Sequence, residues 1–206
     1  MSRSGKFFVL DGPDGGGKTT QISLLQDALI SMGREVVMTR EPGGTQTGEK
    51  IRGIILDPSN TQISIRTELF LYMACRAQLV EELIAPSIER GDIVLCDRFL
   101  SSSVVYQGAA GKLGAEAVQQ IGDFCIRGNE PDLTIILDVN LKTGAARRSH
   151  RSADRIEQRD KEYQEKVREG FLSLAASDPK RFKIVDSSRS IDEIHLEILE
   201  LVKHVL

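Results

Sequence analysis

A glycine-rich loop with a lysine and two threonines follows a short apolar stretch at residues 7–10. Its order, Gly-Pro-Asp-Gly-Gly-Gly-Lys-Thr, matches the pattern G-x-x-x-x-G-K-[ST], in which backbone amides wrap phosphate groups. Apolar residues at helical spacing come next, so the positive end of a helix would also attract an anion. The residues predicted to bind a nucleoside triphosphate are Gly12, Asp14, Gly15, Gly16, Gly17, Lys18, Thr19 and Thr20.

Two oxygen-bearing side chains are candidates to hold a metal ion beside this loop. Lys18 can reach the β- and γ-phosphates of a nucleotide, and the hydroxyl of Thr19 can ligate Mg²⁺. Asp97 follows an apolar stretch at residues 92–96, where a strand would end next to the loop. An acid in that place is expected to associate with the metal, and an Asp-Arg surface pair is the alternative.

Two arginines follow predicted strands and could clamp the phosphate of an acceptor. Arg40 comes directly after a stretch at residues 35–39, and Arg98 follows Asp97. A guanidinium fork matches a phosphate dianion in both geometry and charge. The alternative for either residue is a solvated arginine or a surface ion pair.

A ring and a guanidinium share one face of a predicted helix. Tyr72 and Arg76 are four residues apart, so a nucleobase could stack on the ring while its carbonyl edge accepts from the guanidinium. A core tyrosine beside a salt-bridged arginine is the alternative. Ser103, Tyr106 and Gln107 belong to a short helical stretch, and their polar groups would line the same pocket or cap that helix.

A cluster of arginines predicts a lid over approximately residues 141–155. The cluster consists of Arg147, Arg148, Arg151 and Arg155. Such charge could close over transferring phosphates and neutralise the charge that develops on them, whereas a solvated basic helix face is the alternative. Arg147 and Arg151 share a helix face and are the predicted catalytic pair. The other two would be solvated or would pair with Asp154 and Glu157.

Apolar stretches alternate with amphipathic segments and predict the elements that position these residues. Strands are expected at residues 6–11, 35–39, 92–96, 133–138 and 182–186. Helices are expected at residues 18–32, 64–90, 115–127, 159–176 and 191–205. Ser190 and Glu193 would form a capping box on the last helix. The loops richest in glycine or charge are residues 12–17, 40–48, 97–111 and 139–155.

This alternation is typical of an α/β fold. We predict a doubly wound, five-stranded parallel sheet with helices on both faces, like that of the P-loop NTPases, with a helical lid. The loops named above follow the carboxyl ends of strands, which is the edge where open α/β sheets bind ligands. No repeat or linker divides the chain, so residues 1–206 are expected to form a single domain.

Composition excludes several classes of function. The net charge of −3 argues against a broad surface for nucleic acid or an anionic membrane. The three cysteines, Cys75, Cys96 and Cys125, are far apart and odd in number, so neither a zinc site nor a disulfide framework is expected. There is no secretory leader pattern and no apolar run near 18 residues, which predicts a cytoplasmic protein without a membrane segment.

Taken together, these motifs resemble those of the bacterial thymidylate kinase family over essentially the whole chain. Its marks are the run Thr-Arg-Glu-Pro-Gly-Gly-Thr at residues 39–45, Asp-Arg-Phe-x-x-Ser-Ser-x-x-Tyr-Gln at 97–107, Arg-Ala-Gln at 76–78 and Asp-Arg-Ile-Glu at 154–157. The first run is highly specific, whereas the phosphate loop alone is not. The resemblance implies phosphorylation of dTMP to dTDP, with ATP as co-substrate, Mg²⁺ as cofactor and a homodimer as the assembly.

The resemblance also implies roles for the residues that would hold the sugar and phosphate of dTMP. Asp14 would lie near the 3′-hydroxyl, and Arg40 and Arg98 would hold the monophosphate. Tyr106 would crowd the 2′ position and so favour deoxyribose. With the phosphate loop and the lid, the predicted catalytic residues are Asp14, Lys18, Arg98, Arg147 and Arg151.

For the thymine base, the resemblance places Arg76 at O4 and Ser103 on another side of the ring.

Three positions depart from the common family pattern. Tyr72 stands at the stacking position where phenylalanine is usual, so its hydroxyl needs a partner. Asp11 replaces the common glutamate before the loop, and we expect this to alter a structural contact. Gly15 stands where some relatives carry a basic residue, which resembles the subtype whose lid supplies the catalytic charge.

Two other readings of the sequence remain open. Another P-loop kinase would differ only in the acceptor pocket, and the Arg40 and Arg98 pair favours a nucleoside monophosphate there. A nucleotide-dependent switch or binding module is of a different class. A guanine-specific switch would usually carry an Asn-Lys-x-Asp motif, which is absent, and a basic lid would serve no purpose in it.

Overall fold

Five parallel strands form one sheet in the order β2-β3-β1-β4-β5 in the computed structural model, which describes residues 4–149 and 152–206. The strands are β1 (Lys6–Asp11), β2 (Val36–Arg40), β3 (Ile93–Asp97), β4 (Leu133–Asp138) and β5 (Phe182–Asp186). Each lies within one residue of its predicted bounds. The strand order is that of a doubly wound sheet: from β1 the chain runs to the edge strand β2, returns inward to β3, and then crosses to the other side of β1 to form β4 and β5.

Helices cover both faces of this sheet. They are α1 (Lys18–Ser31), α2 (Gln46–Leu56), α3 (Ile65–Leu79), α4 (Ala85–Arg90), α5 (Leu100–Ser103), α6 (Ala115–Ile126), α7 (Leu141–Arg148), α8 (Lys161–Ser177) and α9 (Ile191–Lys203). Two π-helical segments, Val80–Ile84 and Val104–Ala110, continue α3 into α4 and extend α5. The capping box on α9 between Ser190 and Glu193 is present as predicted.

Some of the predicted loops are helical in the structure. Helix α2 begins inside the loop expected at residues 40–48, where the Thr45 hydroxyl caps it by accepting from the Gly48 amide. Within the expected loop at 97–111, the predicted short helical stretch around Ser103 and Gln107 is present and runs from residue 100 to residue 110. Helix α7 occupies the first part of the lid, where Asn140 caps it.

Alternating side chains of the central strands feed two cores, one on each face. Phe7 and Val9 of β1 pack with Met73 of α3 and Val118 of α6. Phe8 and Leu10, their neighbours on β1, point to the other face. There they pack with Leu25 and Leu29 of α1 and with Ile198 and Val202 of α9. These residues are all nearly or fully buried, which confirms the prediction of a doubly wound sheet with helices on both faces.

The sheet register brings the ends of three strands together. Leu10 of β1 and Arg40 of β2 both lie beside Asp97 of β3, so residues distant in sequence meet at the carboxyl edge. Within residues 4–149 and 152–206, none of the helices has both the length and the apolar character needed to cross a membrane.

Candidate active site

The carboxyl ends of the strands open into a cleft of about 730 Å³, a size typical of small-ligand sites. The predicted site residues that line it are Asp14, Gly15, Gly16, Gly17, Lys18, Thr19, Thr20, Arg40, Tyr72, Arg76, Asp97, Arg98, Ser103, Tyr106, Gln107 and Arg147. Gly12 is not part of the lining, and Arg151 lies outside the described residues. The structure therefore brings nearly all of the predicted residues into one place.

Lys18 is folded back onto the phosphate loop. Its Nζ donates to the carbonyl oxygens of Gly12 at 3.0 Å and Pro13 at 2.9 Å. Burial lowers the pKa of the Lys18 ammonium to about 8, with Arg98 adding to the shift and Asp14 opposing it. An anion bound at the loop would stabilise the charged form. Gly12 contributes through its backbone, which has a φ of 124° that favours glycine.

Thr19 and Asp97 meet at the floor of the cleft. The Thr19 hydroxyl, in the first turn of α1, donates to Asp97 Oδ2 at 3.1 Å. Oxygen donors of this kind suit Mg²⁺, which commonly takes only one or two protein ligands and completes its shell with substrate phosphates and water. No group of three or more His, Cys, Asp or Glu side chains that could hold a metal ion on its own occurs in the parts of the chain that the structure describes. The donor set therefore fits a magnesium ion shared with a nucleotide.

Arg98 lies between the phosphate loop and Tyr106. Its Nη2 donates to Asp14 Oδ1 at 2.5 Å, and the Tyr106 hydroxyl donates to Asp14 Oδ2 at 3.2 Å. Burial opposes ionisation of Asp14, but Arg98 and Lys18 together hold the pKa of that carboxyl below its ordinary value. The Arg98 guanidinium lies 5.2 Å from the centre of the Tyr106 ring. A carboxylate, a guanidinium and a ring thus form one compact polar group in the cleft.

Asp11 anchors Arg98 from beneath, a role that the sequence did not reveal. The carboxylate has no exposed surface and accepts from Ser101 Oγ at 2.5 Å and Ser102 Oγ at 2.7 Å. It also accepts from Arg98 Nη1 at 3.3 Å and from the Gly12 amide at 2.9 Å. Asp11 therefore fixes the phosphate loop, Arg98 and the start of α5 relative to one another. That aspartate in place of glutamate alters this contact stays a prediction.

Tyr72 and Arg76 lie on the same wall of the cleft, as their spacing predicts. Arg76 is almost fully buried, and its Nε and Nη2 donate to Glu41 Oε2 at 3.0 and 2.5 Å. Arg76 Nη2 also donates to Ser103 Oγ at 3.1 Å. Arg76 is thus both a salt-bridged residue and part of the cleft wall. The Tyr72 hydroxyl makes no hydrogen bond within residues 4–149 and 152–206.

Glu41 holds Arg76 in place and was not singled out from the sequence. Burial raises the pKa of the Glu41 carboxyl to about 7, against the opposing effect of Arg76. Its second oxygen, Oε1, is buried and has no hydrogen-bond partner in the described structure. Glu41 belongs to the family-specific run at residues 39–45, but only the fold shows that its side chain faces α3.

Arg40 is half exposed at the rim of the cleft. Its Nη2 donates to both oxygens of Glu49, each at 3.1 Å. Arg52, another residue missed in the sequence, donates to Pro42 O at 2.7 Å and lines the cleft beside Arg40. Burial lowers the pKa of Arg52, and the charge of Arg40 adds to this effect. Two guanidinium groups at this rim favour an anionic ligand.

The lid helix α7 touches the phosphate loop directly. Arg147 Nη1 donates to Gly15 O at 3.3 Å, and Arg147 Nη2 donates to Ser187 O at 2.9 Å. A Cβ at Gly15 would lie 2.4 Å from Gly144 O, so only glycine allows the loop and the helix to approach this closely. Arg147 therefore joins the loop, the lid and the segment after β5.

The other two described lid arginines are paired. Arg148 Nη1 lies 3.6 Å from Glu157 Oε1, so Arg148 forms the ion pair that was one of its two predicted alternatives. Arg155 does not pair with Asp154 or Glu157: its Nη2 donates to the buried Glu68 at 2.7 Å. The expectation for Arg155 was wrong because Glu68 belongs to α3, which only the fold brings against the lid.

A further wall of the cleft comes from the segment after β5. Arg189, Ile191 and Ile194 line the cleft together with Gln21 of α1. These residues were not predicted to belong to the site. Their position was deducible, because they too follow the carboxyl end of a strand.

A strand, a phosphate-binding loop and a helix, facing an acidic residue at the end of the neighbouring strand and covered by a basic helix, define a P-loop kinase of small phosphorylated substrates. The family model described as thymidylate kinase matches residues 10–198. The chain belongs to the thymidylate kinase family, which confirms the resemblance.

Individual relatives agree with the family match. Thymidylate kinase of Symbiobacterium thermophilum is 46% identical over 200 residues, which cover 97% of this chain and 94% of the relative. Thymidylate kinase of Deinococcus radiodurans is 44% identical over 195 residues, with 94% of each chain covered. The crystal structure of thymidylate kinase from Ehrlichia chaffeensis superimposes with a TM-score of 0.80 at 30% identity and covers 96% of this chain and 98% of its own.

Proposed function

We propose that the cleft binds ATP at the phosphate loop and dTMP at the opposite end, between Arg98 and Tyr72. As a member of the thymidylate kinase family, the chain is a kinase that phosphorylates dTMP to dTDP with ATP. The observation that carries the assignment of sites is that one continuous cleft joins Lys18 to the wall formed by Tyr72 and Arg76. Donor and acceptor can therefore meet without leaving it.

The phosphates of ATP would lie in the loop, where Lys18 and the first turn of α1 face them. The adenine end would then extend toward Arg189 and Ile191. This direction is supported by Arg147, which reaches the loop on one side and Ser187 on the other. A guanidinium and an apolar side chain suit a planar, partly apolar base.

The acceptor would lie with its monophosphate against Arg98 and Arg40. Asp14 accepts hydrogen bonds from Arg98 and Tyr106 now and would accept one from the 3′-hydroxyl of the sugar. The Tyr106 ring would fill the space that a 2′-hydroxyl needs. The ring of Tyr72 would stack on the base.

The residues that fit Mg²⁺ are Thr19 and Asp97, whose oxygens lie 3.1 Å apart at the floor of the cleft. When bound, the ion supplies neutralisation of charge on the ATP phosphates. Lys18 adds a fixed cation at the β- and γ-phosphates. Arg98 orients the attacking phosphate oxygen, and Arg147 stabilises the charge that develops on the transferred group. Arg151 is proposed for the same role on the strength of the shared helix face alone.

A coupled assay of ADP release across a panel of nucleoside monophosphates tests this function. The panel contains dTMP, dUMP, dCMP, dGMP and dAMP, each with ATP and Mg²⁺. We expect dTMP to be the preferred acceptor and Lys18→Ala to lose turnover by about 10²–10³ fold while retaining its fold. Preference for another nucleotide would instead make the chain a different kinase of this fold, and a folded Lys18→Ala protein with near-normal turnover would contradict the assignment of the loop.

We further propose a homodimer in the cytoplasm, as the family resemblance implies. The dimer is supported by two exposed aromatic side chains, Phe70 on α3 and Phe124 on α6, which are 59% and 85% exposed. Three unpaired cysteines support a reducing compartment. Light scattering after size-exclusion chromatography measures the mass, and substitution of Phe124 by Ser should shift it toward that of one chain.

A further inference from the structure

A buried acid fixes the orientation of the Gln107 side-chain amide. Gln107 Nε2 donates to Glu68 Oε1 at 2.8 Å, and Glu68 of α3 has no exposed surface. A carboxylate accepts hydrogen bonds and offers none, so the amide must turn its NH₂ group toward Glu68. The chemistry of the partner thus decides which end of the amide points where.

Two guanidinium groups bind the other side-chain oxygen of Glu68. Arg155 Nη2 and Arg159 Nη2 each donate to Glu68 Oε2 at 2.7 Å. Arg155 is itself held by Ile55 O at 2.7 Å, and the Arg159 guanidinium lies 4.4 Å from the centre of the Tyr163 ring. If the Gln107 amide turned over, a buried carboxylate oxygen would face a carbonyl oxygen, which is strongly unfavourable.

The fixed amide determines what Gln107 presents to a ligand. Gln107 lines the cleft one helical turn after Ser103, which is bonded to Arg76. The side-chain oxygen of Gln107, Oε1, accepts no hydrogen bond within the described parts of the chain, 4–149 and 152–206, whereas its backbone oxygen accepts from the Leu113 amide at 3.2 Å. Arg76 Nη1 carries two N–H groups, of which one donates to Met73 Sδ at 3.1 Å. This wall of the cleft therefore offers an acceptor at Gln107 and a donor at Arg76.

Thymine and cytosine differ in the edge that would meet this wall. Thymine carries an acceptor at O4 and a donor at N3–H, which complement Arg76 and Gln107 respectively. Cytosine carries a donor at its 4-amino group and an acceptor at N3, so both positions face a group of the same kind. Sites that leave buried polar groups unpaired reject such a ligand effectively.

We propose that Glu68 is a positioning residue for base selection, acting through the orientation of Gln107. This inference deepens the proposed function and rests on it, because it requires the acceptor base to lie at this wall. Glu68→Gln should reverse the orientation of the Gln107 side-chain amide. Arg155 and Arg159 would take the carbonyl end of the new amide, whose NH₂ group would then face Gln107 and turn its amide over.

Two acceptor nucleotides whose pyrimidine bases differ only at N3 and at the group on C4 test the proposal. The pair is dTMP and 5-methyl-dCMP, and the measured quantity is the ratio of their kcat/KM values with ATP. In Glu68→Gln, we expect this ratio to shift toward 5-methyl-dCMP by about tenfold, the equivalent of one hydrogen bond of modest strength. Gln107→Leu should also shift the ratio, and adding Glu68→Gln to Gln107→Leu should shift it no further.

Arg155→Gln is the matched control for a merely structural role of Glu68. This variant loosens the attachment of the lid to α3 while Arg159 still pairs with Glu68. We expect a lower kcat with an unchanged ratio. Thermal unfolding of each variant checks the fold. If Glu68→Gln does not fold, the ratio is measured in Glu68→Gln combined with Arg159→Gln, against Arg159→Gln alone, because this removes one unpaired guanidinium.

The outcomes separate this inference from the proposed function. A native enzyme that does not phosphorylate dTMP would overturn both. A native enzyme that prefers dTMP, with folded Glu68→Gln showing an unchanged ratio, would overturn only the role of Glu68. An equal shift of the ratio in Arg155→Gln would also overturn it, since the effect would then come from the lid attachment.

Discussion

Arg147 of α7 donates to the carbonyl oxygen of Gly15 in the phosphate loop across 3.3 Å. The contact exists because Gly15 has no side chain and the backbone at Gly144 takes the space that a Cβ would need. The glycine that leaves the loop without a basic side chain of its own thus allows the lid helix to bring one against it.

Arg147→Ala should lower kcat by about 10²–10³ fold with modest changes in both KM values. The reason is that, in its proposed role, an arginine supplied by the lid would act mainly on charge that develops in the transition state. Steady-state kinetics with dTMP and ATP measures this. Arg181→Ala, at an exposed position far along the chain, is the control and should retain normal turnover. An increase in the ATP KM alone would make Arg147 a ground-state contact to ATP.

The buried ammonium of Lys18 should make stability depend on pH in the absence of nucleotide. Burial lowers its pKa from 10.5 to about 8, so between these values the folded protein binds fewer protons than the unfolded protein. Stability therefore rises with pH across this window, by up to about 3 kcal/mol from this group alone.

Urea unfolding of the native protein and Lys18→Met between pH 7.5 and pH 10 measures this effect. Methionine has a similar length and no charge, so other titrating groups cancel in the difference between the two proteins. The native protein should gain stability relative to Lys18→Met as pH rises through 8. A difference that is flat with pH would show that Lys18 is not desolvated in solution.

The sheet was predictable because its strands are short apolar runs, and the helices that follow them carry regular apolar spacing. Helix α2 was missed because Gly48 and Gly53 lie within it and weaken its helical pattern. Its formation depends on the Thr45 cap and on packing against α3. Tertiary contact, which a local pattern does not contain, decides such a segment.

Residues that face the cleft were predictable, whereas the buried acids that hold them were not. Arg98 and Arg76 belong to recognisable runs, and their chemistry suggests a ligand. Glu41 and Glu68 had no distinguishing feature in the sequence, and Asp11 stood out only as a departure from the family pattern. Their partners lie far along the chain, as Ser101 does from Asp11, so only the register of the sheet and the packing of α3 bring them together.

Arg98→Ala should raise the KM for dTMP and lower kcat while ATP affinity changes little. Arg98 is bonded to Asp14 and lies next to Tyr106, on the proposed acceptor side of the phosphate loop. A guanidinium that both binds and orients the acceptor phosphate affects both constants. Arg98→Lys keeps the positive charge but loses the two-pronged guanidinium. Its KM for dTMP and its kcat should therefore lie between those of the native protein and of Arg98→Ala. Titration calorimetry with ATP and with dTMP checks the split, and a loss of ATP binding with intact dTMP binding would place Arg98 at the other nucleotide.

Tyr106→Ala should erode the preference for deoxyribose, because its ring would otherwise occupy the space of a 2′-hydroxyl. The ring also packs edge-on against Phe171 with centroids 6.0 Å apart, so truncation to Ala is expected to cost about 3–5 kcal/mol of stability. Tyr106→Leu retains more of this packing and is the better test. Tyr106→Phe is its matched control, since it keeps the ring and loses only the hydrogen bond to Asp14.

The measured quantity for this prediction is the ratio of kcat/KM for dTMP to that for ribothymidine monophosphate. We expect the ratio to fall by about tenfold in Tyr106→Leu, which corresponds to about 1.4 kcal/mol of lost discrimination. The ratio should stay near its native value in Tyr106→Phe, because steric exclusion needs only the ring. A drop in Tyr106→Phe as large as in Tyr106→Leu would assign sugar selection to the hydroxyl and its partner Asp14. An unchanged ratio in both variants would place it at neither group of Tyr106.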